Sequence, residues 1–482
     1  MINLIKNELI KVFSKKSLYV VAAIAMLLMV LNIFIFKVSE SGELNDTFID
    51  VVESNLVNYD LNNPEELIWY VEDLSNVERN KLASKYENNS WQKTMVFTKA
   101  YDYIYCMNEA KYINKDDNAY NECKKDYDEF VSKIDAGDWK VFVLYEKKMY
   151  EEELASYQKL LTNDLSDMER LDLEKSIQKV KYYIEGINIR LDKNIPPDAS
   201  NLSLQVDRYV ENASTFVDYD KNEDNYAVRS ELITKREIES SMYESKYIIE
   251  NNISTESAYD ASELVQEEFS AVIFFVIVAI VMISSNIMAE EYSKGTIKQL
   301  LIKPYSRGKI LLSKYITCLI VFGLFLLFYF IISLISYGII GSFSDYLNPI
   351  VVYDFVSKGI KEYSIVGYCL LYTLANLPQY LIILSLSFFA STIVANTSVA
   401  IIISIISYFA GNIVNMLIEG NNIKYLAWFP TMCWDLTPYL FGGISSFQYS
   451  SLGLSIMVSV ITLLILIVLS FVLFRKKDIK NI

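Results

Sequence analysis

The stretch Phe269–Ala289, FSAVIFFVIVAIVMISSNIMA, decides the fold of this chain. It contains no charged side chain, and its length matches the roughly 20 apolar residues that one helix needs to cross a bilayer core. Glu267 and Glu268 precede it, and Glu290 and Glu291 follow it, so both of its ends are clearly marked. The sequence therefore predicts a membrane-spanning helix with an acidic, water-soluble region before it.

Four other runs without charged residues are long enough to be membrane helices. Ser17–Phe36 fits one span, and Tyr315–Ser344 fits another. Tyr363–Ile418 is too long for one helix, so we expect it to fold back at Ala395-Asn396-Thr397, its least apolar point, into two spans. Leu452–Phe474 supplies the last span. The sequence thus predicts an all-α, polytopic membrane protein with six spans and both termini on one side.

Lysine and arginine residues indicate which side faces the cytoplasm, because short cytoplasmic loops are enriched in them. Fourteen border the face that carries the termini and four border the other face. The fourteen are Lys6, Lys11, Lys15, Lys16, Lys294, Lys298, Lys303, Arg307, Lys309, Lys314, Arg475, Lys476, Lys477 and Lys480, and the four are Lys37, Lys358, Lys361 and Lys424. We therefore expect a multi-pass plasma-membrane protein whose residues 1–16 and 475–482 are cytoplasmic. The first span is expected to be retained, since no cleavage site of a signal peptide follows Phe36.

Residues 37–268 form a large acidic region between the first and second predicted spans. Of the 59 acidic residues, 50 lie between Val38 and Glu268, against 26 of the 44 basic residues. The region has few glycines and no alternating strand pattern, so we predict a helical extracellular domain. Its negative charge would attract cationic molecules, antimicrobial peptides among them. Binding a substrate, binding another envelope protein and bracing a dimer are the alternative roles for it.

A helical hairpin is the clearest element of this region. Apolar residues recur at spacings of three and four on either side of Asn163–Ser166, namely at Tyr150, Leu154, Tyr157 and Leu161, then at Leu173, Ile177, Val180, Ile184, Ile187 and Leu191. Ser166 and Glu169 form a capping-box pattern, and Pro196-Pro197 ends the second segment. The pattern predicts a two-helix coiled coil. A further helix, from about Thr255, is expected to continue unbroken into the second span.

Two cysteines of the acidic region are placed for a disulfide. Cys106 and Cys123 lie on either side of Asn114–Asn118, a predicted turn between two helices, so an antiparallel hairpin brings them face to face. A disulfide and two buried free thiols are the alternatives, and an extracellular location permits the disulfide. Cys318, Cys369 and Cys433 show no such symmetry and are expected to be unpaired.

Several kinds of chemistry are excluded by the residues that are missing. The chain has no histidine, so it has neither a usual zinc site nor a Ser/His or Cys/His nucleophile pair. Gly308-Lys309 is followed by Ile310 and lacks the glycine spacing of a phosphate-binding loop. We therefore predict no catalytic residue, no metal site, no bound cofactor and no nucleic-acid partner. The energy for any transport must come from a partner or from a gradient.

The segment between the second and third spans, residues 290–314, carries a resemblance to a known family. It reads EEYSKGTIKQLLIKPYSRGKILLSK, with an acidic pair, a Gly-Thr, a Leu-Leu and then a Pro-x-Ser-Arg turn. It resembles the cytoplasmic loop of the ABC type-2 exporter permeases. The resemblance implies a loop that couples the permease to an ATPase, through Glu290, Glu291, Tyr292, Gly295, Thr296, Leu300, Leu301, Pro304 and Arg307. It also implies two copies of a separate ABC ATPase that binds ATP and Mg²⁺, and a second permease, identical or homologous.

The physical pattern of this segment agrees with a short helix on the membrane surface. Ile297, Leu300 and Leu301, extended by Pro304, place an apolar edge at helical spacing, and Gly295 permits a sharp bend before it. An ordinary basic loop that only fixes the topology is the alternative. The amino terminus shows a similar pattern, since Ile2, Ile5, Leu9, Val12 and Phe13 predict an interfacial helix that leads into the first span.

Polar residues inside the predicted spans are candidates for a translocation path. They are the amides Asn32, Asn286, Asn376, Gln379, Asn412 and Asn415, and Pro378 is expected to kink the fourth span between two of them. Hydrogen bonding between neighbouring helices is the alternative role. No carboxylate lies within a predicted span, which argues against a proton- or sodium-coupled carrier. The aromatic-rich segment 419–451 predicts either an interfacial belt or short re-entrant helices.

Together these features predict the permease subunit of an ATP-driven ABC type-2 exporter that contacts lipid and moves a substrate outward. A cationic peptide, a drug and a lipid are the substrate classes left open. The alternative from another class is a receptor or scaffold that uses the spans to present the acidic domain and transports nothing.

Overall fold

A computed structural model of the chain describes residues 1–40, 52–54, 56–219, 229–253, 261–302, 304–394, 396–419, 424–443, 445, 447 and 449–477. The chain divides into two compact units. The acidic unit comprises Ile35–Lys221 and Lys235–Asp260, and the apolar unit comprises Met1–Phe34, Asn222–Thr234 and Ala261–Ile482. The described part is mostly helical in both.

The apolar unit is built from long helices joined by short turns. They are α1 (Ile2–Phe13) and α2 (Lys16–Glu40), then α10 (Ala261–Ser293), α11 (Ile297–Ile302), α12 (Arg307–Ile340), α13 (Ile365–Ala375), α14 (Leu377–Ile393), α15 (Thr397–Glu419), α16 (Thr437–Leu440) and α17 (Leu452–Lys476). Single 3₁₀ turns occur at Phe343–Leu347, Lys424–Trp428 and Pro430–Cys433.

Four of these helices are long and apolar enough to cross a membrane alone. They are found at Phe269–Ser293, Arg307–Ile340, Thr397–Leu417 and Leu452–Lys476. Two bent pairs also pass the same test, α1 with α2 at 64° and α13 with α14 at 43°, so the described residues offer up to six spans. The prediction of a helical protein with several membrane-spanning helices is confirmed at this level.

Local signals in the sequence correspond to the boundaries of the helices. The bend between α13 and α14 lies at Asn376, and Pro378 occupies the first turn of α14, where its missing N–H costs no hydrogen bond. The turn expected near residue 396 separates α14 from α15, and the Asn396 carboxamide accepts the Ser398 N–H at 2.9 Å. Ala395 lies outside the described residues. The predicted helix into the second span is unbroken from Ala261 onward, and its expected start at Thr255–Asp260 also lies outside them.

α10 and α14 form the centre of the apolar unit. α10 packs against α12, α14 and α15, and α14 packs also against α17. Small hydroxyl side chains lie where these helices meet, which permits close packing without loss of hydrogen bonds. Ser391 of α14 accepts hydrogen bonds from the backbone N–H groups of Met288 and Ala289, at 3.0 and 2.9 Å. The Tyr315 hydroxyl of α12 contacts that of Ser385 at 2.8 Å.

A two-stranded antiparallel hairpin is a small addition to the mostly helical fold. β1 (Ile350–Asp354) pairs with β2 (Gly359–Tyr363), with Ile350 opposite Tyr363. The β-branched start of β1 favours a strand, and Lys358 at φ +52° closes the turn. The hairpin lies between the candidate spans Arg307–Ile340 and Ile365–Ile393.

The segment 419–451 lies between the last two candidate spans. Its described part consists of short 3₁₀ turns and the four-residue α16. Cys433 is buried there and donates its S–H to the Ala427 carbonyl at 3.1 Å. The two alternatives for this segment, an interfacial belt and short re-entrant helices, stay predictions.

Seven helices make up most of the described part of the acidic unit, and the last of them begins in residues 229–234, which belong to the apolar unit. They are α3 (Pro64–Ala83), α4 (Trp91–Asn108), α5 (Asp117–Asp135), α6 (Lys140–Leu160), α7 (Asp167–Lys193), α8 (Asn201–Phe216) and α9 (Arg229–Asn251), with a 3₁₀ turn at Leu56–Asn58 and a π-helical turn at Glu109–Asn114. Side chains cap several of them, including the Ser166–Glu169 capping box that begins α7.

The core of this unit has separate apolar clusters. Val96, Ile104 and Ile134 are almost fully buried where α3, α4 and α5 meet. Cys106 of α4 and Cys123 of α5 form a disulfide, with their Cα atoms 5.8 Å apart. A left-handed residue, Lys115, closes the turn between the two helices. Cys318, Cys369 and Cys433 are free and buried.

The predicted two-helix coiled coil is in fact part of a larger bundle. Tyr150 of α6 stacks on Tyr183 of α7 with ring centroids 5.1 Å apart, so the hairpin forms. However, α7 also packs against α8, and Gly186 allows this because a Cβ there would come within 2.2 Å of Val210. Arg190 is buried between them and donates to Asp207 Oδ1 at 2.6 Å. The heptad-like spacing therefore describes one face of α7, and a second face is covered as well.

Candidate functional site

Two sites in the apolar unit contain six of the residues that the sequence singled out, namely Glu290, Glu291, Asn376, Gln379, Asn412 and Asn415. The first is an ion network between α1, α10, α12 and the turn after α10. We define the ion network as Glu8, Lys11, Lys15, Glu290, Glu291, Lys294 and Lys314. The second is a cavity at the other end of α10, which we call the amide cavity.

Lys314 lies at the centre of the ion network. Its side chain is 1% exposed, and its Nζ lies 2.7 Å from Glu8 Oε2 and 3.0 Å from Glu291 Oε1. It also donates to the Ile287 carbonyl oxygen at 3.3 Å, so its three N–H bonds have three acceptors. A buried ammonium is tolerated only with such compensation. Lys314 therefore joins α12 to both α1 and α10.

The other cations of the network lie closer to solvent. Lys11, whose side chain is 52% exposed, contacts Glu291 Oε1 at 2.6 Å. Lys15 and Lys294 both pair with Glu290, the latter at 2.6 Å. The Thr296 hydroxyl donates to Glu291 Oε2, which holds the start of α11 against the end of α10. The two carboxylates of the acidic pair are thus occupied within the chain.

The turn between α10 and α11 depends on a glycine. Gly295 has φ +66°, a conformation that L-residues rarely adopt, and no atom lies within 4 Å of the position of a Cβ. A larger residue at position 295 is therefore disfavoured by the backbone conformation and not by crowding. Helix α10 continues to Ser293, four residues beyond the predicted end of the span, and α11 starts at Ile297.

α11 has one buried face and one exposed face. Ile297 and Leu300 are buried, at 0% and 6% exposure, as their spacing predicts. Ile302 is 83% exposed, and Lys298 and Gln299 are exposed beside it. Pro304 is exposed too, so its predicted place in the apolar edge is wrong, because the helix ends at Ile302, before the proline. The Leu301 side chain and Lys303 lie outside the described residues.

The end of α17 is tied to the same region. Arg307 Nη1 donates to the carbonyl oxygens of Arg475 and Lys477, each at 3.1 Å. Lys477 Nζ lies 3.9 Å from the centroid of the buried Tyr292 ring and donates to the Ile393 carbonyl at 2.7 Å. Lys477 thus has a structural contact beyond the topological role that its position suggested. Lys476, by contrast, is exposed.

Five members of the ion network were not recognised as site residues from sequence. Lys11, Lys15, Lys294 and Lys314 were counted only as topological charges, and Glu8 was not singled out. The signal for Glu8 is its place as the one acidic residue of α1, in line with the buried Leu4 and Val12. Its partner Lys314 is 306 residues away, so no local pattern joins them.

The amide cavity has a volume of about 280 Å³ and lies between α10, α13, α14, α15 and the turns that follow α15. Four of the predicted path residues line it, Asn376, Gln379, Asn412 and Asn415. Asn415 is committed to structure, because it donates to the Thr431 carbonyl at 2.9 Å and accepts from the Thr431 hydroxyl.

The remaining predicted path residues lie elsewhere. Asn286 lines a separate cavity of about 60 Å³ near α1 and donates to the Met282 carbonyl at 2.6 Å. Pro378 forms the start of α14 but does not line the amide cavity. The Asn32 side chain lies outside the described residues. The sequence therefore identified four amides that share a cavity and could not separate them from the others.

The fold and these two sites agree with a polytopic helical membrane protein, and comparisons with known proteins place the chain in a family. The chain belongs to the family described as "Protein of unknown function (DUF2705)", whose model matches residues 227–480. It is also 30% identical over 242 residues to the "Uncharacterized protein YhcI" of Bacillus subtilis (strain 168), which covers 49% of this chain and 74% of that protein. No solved structure matches the chain.

Proposed function

We propose that this chain is the permease subunit of an ATP-driven ABC type-2 exporter. In this proposal a separate ATPase subunit, in two copies, binds ATP and Mg²⁺, and a second permease completes the membrane part. The observation that carries the proposal is α11, a short helix held against the ends of the long helices with one face exposed. Its sequence context is the segment that resembles the coupling loop of that family.

The contacts of α11 would transmit a movement of a bound partner to the long helices. Ile297 and Leu300 fix one face of the helix, while Ile302 offers an exposed apolar side chain to a docking surface. The Thr296–Glu291 hydrogen bond and the ion network connect this helix to α1, α10 and α12. A displacement of α11 therefore cannot occur without moving or breaking these contacts.

The same contacts revise the role of the acidic pair. Glu290 and Glu291 are paired with lysines of this chain, so we assign them to holding the coupling element in place. The residues proposed to meet the ATPase are the exposed ones, Lys298, Gln299 and Ile302. This assignment distinguishes substitutions that disturb folding from those that disturb docking.

The proposal includes a topology. We propose six spans, with each bent pair crossing the membrane once, both termini in the cytoplasm and the acidic unit outside the plasma membrane. The bias of lysine and arginine toward one face supports this orientation. The Cys106–Cys123 disulfide supports it independently, because disulfides persist in oxidising compartments.

ATP hydrolysis by the purified complex tests the proposal. Ile302→Asp places a charge at the centre of the proposed docking surface, so hydrolysis stimulated by the permease is expected to fall at least tenfold. Ile302→Leu keeps the apolar contact and is expected to retain it. Lys476→Gln alters an exposed basic residue away from α11 and serves as the charge control. Unchanged hydrolysis with Ile302→Asp in a folded complex would contradict the coupling role.

A receptor or scaffold is the second candidate function. The acidic unit supports it, because this unit has its own apolar clusters and a disulfide. A receptor of this kind needs no ATPase, and a substitution at Ile302 then has no effect on its activity. Isolation of the chain without any ATPase, but with a protein bound to the acidic unit, would favour this candidate.

A further inference from the structure

We infer that the amide cavity is a binding site for an organic ammonium ion. The inference deepens the proposed function, because it names a substrate class for the permease, and it rests on that function only for the transport step. The binding itself depends on the cavity alone. Three features of the cavity lead to this ligand: its charge, its aromatic walls and its unused hydrogen-bond acceptors.

The described lining of the cavity has a single charged group. Asp435 is the one ionisable carboxylate among its described lining residues, and no lysine or arginine lines it. The neighbouring residues outside the described set, Ile444, Ser446 and Gln448, are uncharged by sequence. Asp435 Oδ1 accepts hydrogen bonds from the Thr437 N–H at 2.8 Å and from its hydroxyl at 2.5 Å. A carboxylate accepts about four hydrogen bonds, so the second oxygen retains its capacity for a ligand.

Aromatic side chains form part of the wall. Tyr372, Tyr408 and Trp434 line the cavity, and Tyr408 and Trp434 stack with centroids 6.2 Å apart. Aromatic rings attract a cation through their quadrupole, most strongly where water is excluded. Trp434 is 4% exposed, so its contact with a ligand is made largely out of water. A carboxylate with aromatic neighbours favours a cation with apolar substituents over a hydrated metal ion.

The amides of the cavity favour one kind of cation over another. Gln379 is 6% exposed and lines the cavity, and its carboxamide has no hydrogen-bond partner within the described part of the chain. The polar atoms of this carboxamide face the cavity and are not sealed from solvent, so they are available to a ligand. Asn376 donates to the Tyr372 carbonyl at 3.0 Å and to the Thr437 hydroxyl at 3.3 Å, which leaves its carbonyl oxygen as an acceptor. These acceptors suit an ammonium ion that carries N–H bonds.

The size of the cavity limits the ligand. A volume of about 280 Å³ lies near the lower end of the range for small-molecule sites. It accepts an ammonium group with one ring or a short alkyl chain, or the side chain of a larger molecule, but not a folded peptide.

Calorimetry with the full-length protein in lipid nanodiscs tests the site. Benzylammonium is the probe, with benzyl alcohol and benzoate as the neutral and anionic molecules of matched shape. We expect binding of benzylammonium, at least tenfold weaker binding of benzyl alcohol, and none of benzoate. A benzyltrimethylammonium arm tests the N–H donors, since this ion keeps the charge and the ring; we expect its binding to be weaker than that of benzylammonium.

Three variants connect the binding to named atoms. Asp435→Asn preserves an oxygen for the two Thr437 hydrogen bonds and removes only the charge; because Asp435 is exposed, affinity for benzylammonium is expected to fall about two- to fivefold. Gln379→Met, of similar size, is expected to weaken it severalfold by removing the free acceptor. Glu362→Gln alters an exposed carboxylate on β2 that does not line the cavity, and it is the control.

The outcomes separate this inference from the proposed function. Equal binding of the alcohol and the ammonium, or full affinity in Asp435→Asn, would overturn the inference even if an ATPase partner is found. Ammonium binding that depends on Asp435, in a chain that associates with no ATPase, would retain the site and contradict the exporter assignment instead.

Discussion

Replacing Lys314 with methionine is the sharpest test of the ion network, because it removes the charge and keeps much of the side-chain volume. Glu8 is then left with Lys11 alone, whose Nζ is 3.7 Å away, and its side chain is only 9% exposed. The Glu291 carboxylate keeps more of its compensation, since Lys11 at 2.6 Å and Thr296 remain as partners. The variant therefore creates one poorly compensated buried carboxylate.

The expected size of the effect follows from burial. Removing one partner of a buried ion pair costs about 3–5 kcal/mol, and the remaining contacts of Glu291 place Lys314→Met near 3 kcal/mol. Lys11→Met removes a cation whose side chain is 52% exposed, so it is expected to cost about 1 kcal/mol or less. The double variant Glu8→Gln/Lys314→Met removes the uncompensated charge of Glu8. It is expected to recover roughly half of the lost free energy of unfolding.

Thermal unfolding of the purified protein in detergent, followed by intrinsic fluorescence, gives the comparison. With about 2–4 °C per kcal/mol for a domain of 150–250 residues, Lys314→Met is expected to lower the Tm by roughly 6–12 °C. Lys11→Met is expected to lower it by a few degrees at most. A Tm for Lys314→Met equal to that of the unaltered protein, or a double variant less stable than the single one, would refute this account of the network.

Three further predictions concern other parts of the chain. The disulfide between Cys106 and Cys123 closes a loop with a separation of 17 residues, so replacing both with alanine is expected to cost about 3 kcal/mol; mass spectrometry of non-reduced, alkylated protein must also find the two linked. A cysteine at Asp192 is expected to react with a membrane-impermeant reagent in intact cells, and one at Lys298 only after permeabilisation; the reverse pattern would invert the topology. Asp354, whose pKa is held at about 2 mainly by its hydrogen bond from the β2 lysine, is expected to stabilise the β-hairpin fully above its unfolded pKa of about 4. That contribution is lost as the pH falls through about 2, so the Tm difference between the unaltered protein and Asp354→Asn should shrink over this range, and a constant difference would contradict it.

The features that sequence predicted well are those that depend on neighbours along the chain. Helix length and apolarity identified the candidate spans, because a bilayer core demands a minimum run of apolar residues. The Ser166 capping box and the bend at Asn376 before Pro378 were equally local. The two faces of α11 followed from the spacing of Ile297 and Leu300.

The features that sequence missed depend on contacts between distant segments. Lys314 borders an apolar helix and has the pattern of a topological lysine, yet Glu8 and Glu291 surround it in the folded chain. A single sequence contains no sign of that pairing. In the same way, the sequence gives no reason to distinguish the six amides. The folded chain does: Gln379 lines the amide cavity without a hydrogen bond to any described residue, whereas Asn415 is bonded to Thr431.

The β-hairpin was missed for a different reason. β1 and β2 are short and lie between two predicted spans, where hydropathy favours an ordinary loop. The coiled-coil prediction was too narrow because heptad-like spacing reports one apolar face, whereas Gly186 and Arg190 of α7 provide a second contact face. Small and buried polar residues on a helix are therefore the signal that would have indicated the larger bundle.

Affinity purification of the tagged chain from its native membrane tests the exporter assignment most directly. We expect an ABC ATPase to copurify with the unaltered chain and with Lys476→Gln in comparable amounts, and to be lost with Ile302→Asp while the chain remains folded and inserted. Mass spectrometry of the purified material identifies the partner. Absence of any ATPase from the unaltered complex, after cross-linking in intact membranes, would contradict the assignment and favour the receptor or scaffold.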